Sequence, residues 1–169
     1  MDNREKAIKI YDLINNGEIQ QAKEMIVNDK SLLDFVTPFG TWLHVATRAG
    51  NLDMIKFLVE SGMDINRNEG VPKSAPIAQA SSEGEISIVE YLFNNGAKLD
   101  VSEPNRNPLF SAIYGGHLDI VKYLVKNGID ITVKYTGDTM KDMDAYAFAI
   151  ERGQTEIAEY LKRKMDERL

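Results

Sequence analysis

The strongest constraint on this chain is a recurrence of glycines. Gly50, Gly84, Gly116 and Gly153 each end a short segment rich in small residues: TWLHVATRAG (41–50), APIAQASSEG (75–84), NPLFSAIYGG (107–116) and DAYAFAIERG (144–153). The steps between these glycines are 34, 32 and 37 residues. In three units a second glycine follows twelve residues later, at Gly62, Gly96 and Gly128. An interval near 33 residues is the period of a stacked helix–turn–helix unit, which buries its apolar faces only against copies of itself.

Apolar columns align between the paired glycines. Four residues after the first glycine stand Met54, Ile88, Ile120 and Ile157, and eight after it Leu58, Leu92, Leu124 and Leu161. The columns two, five and seven after it hold Leu52, Ile86, Leu118 and Thr155; Ile55, Val89, Val121 and Ala158; and Phe57, Tyr91, Tyr123 and Tyr160. Together these offsets predict a helix that is apolar everywhere except one outer edge, as a helix between two neighbours must be. A glycine at its end predicts a left-handed C-terminal turn.

The array extends to both ends. Gly17 lies 33 residues before Gly50, and Ile19, Ala22 and Met25 keep the inner columns, while Gln21 and Glu24 interrupt others. A polar outer face is what a terminal unit needs. The closing stretch ERGQTEIAEYLKRKMDERL (151–169) ends in a strongly charged helix, which predicts a second cap.

These segments resemble the ankyrin repeat. TWLHVATRAG followed by NLDMIKFLVESGMDIN carries the likeness most closely, then NPLFSAIYGGHLDIVKYLVKNGIDI and, more loosely, APIAQASSEGEISIVEYLFNNGAKLD. The resemblance implies an all-α solenoid of about five helix–turn–helix units with degenerate N- and C-terminal caps, at about 4–33, 37–66, 71–100, 103–131 and 140–166, in a single domain spanning 1–169. It also implies long turns projecting from one edge and a concave binding surface. The motif's proline is kept as Pro76 and Pro108 but replaced by Trp42 and Ala145; its histidine is kept only as His44.

Composition limits the chemistry. There is no cysteine, so disulfides and thiolate metal sites are excluded. A net charge of −6 argues against nucleic acid and is compatible with a basic protein partner. The N-terminus lacks the apolar core of a signal peptide and no apolar stretch has membrane-spanning length, so a cytoplasmic location without membrane contact is expected. The two histidines fall at structural positions in different units, which gives no metal pair. Gly115–Gly116 lacks the lysine and spacing of a phosphate loop, and Asp138, Asp142 and Asp144 read best as polar loop and helix cap. No catalytic residue, cofactor or metal is expected.

Contacts are therefore expected from the turns and the ends of the first helices. Phe39, Trp42, Arg48, Glu83, Arg106, Tyr114, Tyr135, Met140, Met143 and Arg152 are the candidate partner-binding residues, since aromatic, methionine and arginine side chains anchor interfaces. For Phe39 and Trp42, packing of loop against loop is the equal alternative. The longest turn, Thr132 to Met143, accounts for the 37-residue step and is expected to join the binding surface. A non-catalytic protein-binding module, monomeric when free, follows. The resemblance further suggests bacterial ankyrin immunity proteins that neutralise a toxin, here a basic one; a scaffold or regulatory subunit of a larger assembly is the alternative.

Overall fold

The glycine turns set the geometry. Gly84 (φ 81°) and Gly116 (φ 76°) close their helices in the left-handed region, and the chain reverses there into a second helix. A computed structural model describing residues 1–169 contains ten α-helices in five such pairs: α1 (Asn3–Asn15) with α2 (Ile19–Asn28), α3 (Trp42–Arg48) with α4 (Leu52–Glu60), α5 (Pro76–Glu83) with α6 (Ile86–Asn94), α7 (Pro108–Gly115) with α8 (Leu118–Lys126), and α9 (Ala145–Glu151) with α10 (Thr155–Asp166). The first helices stack in one row, α1 on α3, α3 on α5, α5 on α7 and α7 on α9. The second helices form a row behind them, with α2 on α4, α6 on α8 and α8 on α10.

The helices α3, α5, α7 and α9 have seven or eight residues each. Isolated helices of that length are unstable in water, so packing holds them. One continuous cluster of buried apolar residues runs from Ala7 to Leu161 and leaves no break at which the chain could divide into two cores. Pro76 and Pro108 start α5 and α7, where a missing N–H leaves no donor unpaired. Asp2 and Glu5 form a capping box at α1, and Asn51, Asn107 and Asp144 cap α4, α7 and α9.

The aromatic column of the second helices joins adjacent units. Lys23, Lys56 and Lys122 lie 5.7, 5.8 and 5.8 Å from the rings of Phe57, Tyr91 and Tyr160 in the following unit. The equivalent residue beside Tyr123 is Glu90, and burial with this carboxylate raises the Tyr123 phenol pKa.

The purely helical expectation needs one correction. The long turn before α9 folds as an antiparallel hairpin, β1 (Tyr135–Gly137) with β2 (Met140–Met143). Tyr135 pairs with Met143 and Gly137 with Met140, with a register irregularity between Tyr135 and Gly137. The chain doubles back at Asp138–Thr139, and the Thr136 hydroxyl accepts the Asp142 N–H (3.1 Å) to hold Asp142 at φ 48°.

Candidate protein-binding groove

One histidine, two amides and a tyrosine tie the projecting turns into a rigid edge. His44 is buried, and its Nε2 donates to the Ser74 carbonyl of the next unit (2.8 Å). A carbonyl only accepts, so in the neutral ring Nδ1 is the acceptor, and it takes the Thr41 N–H (3.2 Å). Burial pushes the His44 pKa below its ordinary value. Asn105 donates to the Lys73 carbonyl (3.2 Å), and the Tyr135 hydroxyl donates to the Val101 carbonyl (2.7 Å) while accepting from Asn107 (3.0 Å). Each turn is thereby fastened to the one before it.

His117 does the same at the far end of the first helices. Its Nε2 donates to the Ser82 carbonyl (3.0 Å). A Cβ on Gly115 would stand 2.4 Å from that carbonyl oxygen and 2.5 Å from the His117 ring, and one on Gly84 2.6 Å from the same ring, so Gly115 and Gly84 make room for the imidazole.

Between the turns and the first helices lies a groove of about 380 Å³. Pro72, Ser74, Pro104, Asn105 and Met140 form its turn side, and Ala78, Gln79, Ser82, Ser111 and Tyr114 its helix side. Phe110 and Phe148 form the floor, stacked at 4.7 Å between ring centroids, with Tyr135 edge-on to Phe110 at 5.0 Å. At the rim, Cζ of Arg152 sits 4.5 Å from the centroid of the exposed Tyr114 ring. A second recess, about 290 Å³, opens at the N-terminal unit between Arg4, Ile8 and Tyr11 of α1 and residues 35–39. There the Phe39 ring stacks on Tyr11 at 5.3 Å and carries Arg48 at 5.2 Å on its face.

The expected binding residues divide accordingly. Tyr114 and Met140 line the groove, Arg152 stacks at its rim, Phe39 lines the second recess, and Arg48 lies on the Phe39 ring at that recess's rim. Two anchors require correction. Trp42 has no exposed surface; its Nε1 donates to the Leu32 carbonyl (2.7 Å) and its ring stacks on Phe35. The larger side chain in place of the motif proline reaches back under the 3₁₀ turn Lys30–Asp34 and joins the first two units. Tyr135 is also buried and its hydroxyl is consumed by the turn network. Met143 is half-buried against the core. Glu83 is exposed, and Arg106 is half-buried beside Glu103 (3.7 Å); neither lines the groove.

Gln79, Ser111, Phe110 and Phe148 are absent from the expected set. The repeat itself carries the signal that locates most of them. The positions five residues before each first glycine are Val45, Gln79, Ser111 and Phe148, and those two before it are Arg48, Ser82, Tyr114 and Glu151. These columns lie three residues apart, on one helix face. Their chemistry changes from unit to unit while the packing columns stay apolar or small, and five of the eight line the groove.

No group of three or more acidic or histidine side chains is placed to hold a metal ion. No helix is long and apolar enough to cross a membrane.

Comparison with known proteins agrees with this architecture. A family model described as ankyrin repeats (3 copies) matches residues 43–135 and 77–168. The chain is similar to protein phosphatase 1 regulatory subunit 27 of Mus musculus, at 35% identity over 96 residues covering 56% of this chain and 62% of that protein. It is also similar to ankyrin repeat and SAM domain-containing protein 6 of Rattus norvegicus, at 30% over 105 residues covering 62% of this chain and 12% of the relative. The match to alpha-latrotoxin-Lh1a of Latrodectus hasselti is 41% identical over 71 residues, 39% of this chain and 5% of the relative. The chain thus spans less than two thirds of the length of each of these relatives. Ankyrin repeats mark a protein–protein interaction module. The glycine period, the paired-helix stack and the matched family model together establish that this chain belongs to the ankyrin-repeat family.

Proposed function

We propose that the chain is a binding subunit that regulates or positions another protein by taking an exposed segment of it into the groove between the turns and the first helices. The observation that carries this reading is the groove itself: apolar at its floor, built from the repeat columns that vary, and held open by turns fastened in series. A pre-formed site binds without first meeting an ordering cost. The regulatory-subunit name of one relative favours this over passive scaffolding. The relatives named above give no support to the immunity expectation, and the groove offers no feature specific to a toxin.

The test is affinity purification of the wild-type chain and of Gln79→Trp from the cells that make it. The Gln79 side chain lines the groove, so tryptophan fills the space without touching the core. A partner retained in stoichiometric amount by the wild type and lost from the variant, at unchanged melting temperature, is expected. The same partner recovered equally with both proteins would contradict the reading.

A further inference from the structure

The overall charge of the chain, −6, hides an opposite local pattern on the groove side. The groove is lined by no charged residue at all, and the second recess by one, Arg4. Their rims carry Arg48 and Arg152, at the ends of α3 and α9. Both arginines are exposed and neither has a carboxylate within ion-pair distance, whereas Arg67 and Arg106 each have one. Each guanidinium instead lies on the face of an exposed aromatic ring, Arg48 on Phe39 and Arg152 on Tyr114. The helix C-terminus explains a cation at these positions. It does not explain an exposed aromatic platform beneath each one.

Stacking fixes the guanidinium plane and leaves its N–H edges free, which is the arrangement that accepts a carboxylate through two parallel hydrogen bonds. Between the two clamps, Pro72, Pro104, Met140 and Phe148 supply apolar surface over the buried Ala78 and Phe110. The Gln79 amide and the Ser82 hydroxyl form no side-chain hydrogen bond inside the protein and are available to the main chain of an extended segment. Glu83 and Glu151, the acids at the ends of α5 and α9, line neither recess.

The clamps belong to the second and fifth units, three helix-to-helix steps apart. Packed helices stand about 8–10 Å apart, so the separation is roughly 24–30 Å. An extended chain advances about 3.3–3.6 Å per residue, and about seven to nine residues cover that distance. We propose that the occupant is an extended, apolar segment bracketed by carboxylates about seven to nine residues apart, with Arg48 holding one end and Arg152 the other. This rests on the groove being the protein-binding surface. It replaces the basic partner suggested by net charge with an acidic one, because recognition follows the charge at the site.

The test is selection of twelve-residue peptides from a random phage library on the full chain, with affinities of the recovered peptides measured by fluorescence anisotropy. Recovered sequences are expected to carry Asp or Glu on both sides of an apolar centre. Their affinity should fall at least tenfold for the double variant R48A/R152A, and by a similar factor when the peptide acids are replaced by Asn or Gln. The peptide substitutions keep the test decisive even where a protein variant is less stable. Recovered peptides that are basic, or whose binding ignores both changes, overturn the proposal. If such peptides still lose binding to Gln79→Trp, only the charge assignment falls; if they bind Gln79→Trp as tightly as the wild type, the groove reading falls with it.

Discussion

Arg152 and Tyr114 come from successive units, yet the guanidinium carbon of one stands 4.5 Å from the ring centre of the other at the rim of the groove. Tyr114 is 59% exposed, so this pair does little for the core. An exposed cation–π contact contributes about 0.5–1 kcal/mol. Tyr114→Ala and Arg152→Ala should each lower stability by no more than about 1 kcal/mol in urea denaturation. Both should weaken partner binding by considerably more than that change in stability. A loss of several kcal/mol of stability would show that the pair is structural instead.

Trp42 should behave in the opposite way. It is fully buried, and Trp42→Ala should destabilise the first two units by about 3–5 kcal/mol. Trp42→Phe loses the indole hydrogen bond and part of the ring volume, while the Leu32 carbonyl keeps the Phe35 N–H (3.1 Å), and should cost about 1–3 kcal/mol. Urea denaturation followed by circular dichroism checks both. In the folded population of Trp42→Phe, partner binding should be unchanged.

The contrast between these residues marks how far the sequence could be read. The glycine period and the apolar columns are set by packing that repeats, so the stacked helical repeat was legible from Gly17 to Leu161. Phe39 and Trp42, three residues apart and both aromatic, were not separable by type or spacing. Phe39 is 43% exposed between Tyr11 and Arg48, whereas Trp42 has no exposed surface because its ring packs on Phe35 and a carbonyl accepts its indole N–H there. That carbonyl belongs to Leu32, ten residues earlier, in a turn that follows no repeat pattern. The hairpin at 135–143 is hidden in the sequence for the same reason: it is present in a single unit, so no periodicity announces it. Phe110 stands where the motif histidine would be, and only the stacking on Phe148 shows that it is groove floor.

Acid should loosen the turns through His44. Its folded pKa lies below the ordinary 6.5 because of burial, so below that pH the unfolded chain binds a proton that the folded chain refuses. Stability from this residue is fully present above pH 6.5 and is lost as the pH falls towards the folded pKa, at no more than about 1.4 kcal/mol per pH unit. Protonation would also set an Nδ1–H against the Thr41 N–H. Asp29, Asp100, Asp130 and Glu167, all shifted downwards from ordinary values of 3.8 to 4.5, titrate below this window. Urea denaturation between pH 7.5 and 5.0 should show a falling stability that flattens in His44→Asn, which will be less stable at every pH. An identical slope in the variant would remove His44 as the cause.

The hairpin tip offers a separable handle on binding. Met140 faces the groove, while Tyr135 belongs to the buried turn network. Deleting residues 138–141 and reclosing the turn should weaken partner binding and leave helicity unchanged, because loop length alters stability only slightly. Tyr135→Phe should do the reverse, costing about 1–2 kcal/mol through the unpaired Val101 carbonyl with little effect on binding. Circular dichroism and a binding isotherm on each variant distinguish the two.

The central claim is that binding takes place in the groove and not on the second row of helices. Amide chemical-shift mapping by heteronuclear NMR, on the labelled chain titrated with the tightest peptide from the selection, tests it most directly. The account predicts that the largest shifts fall on Gln79, Ser82, Ser111, Tyr114, Phe148 and Arg152, which span three units on one face. Shifts confined to α4, α6, α8 and α10, with those six amides unmoved, would contradict it.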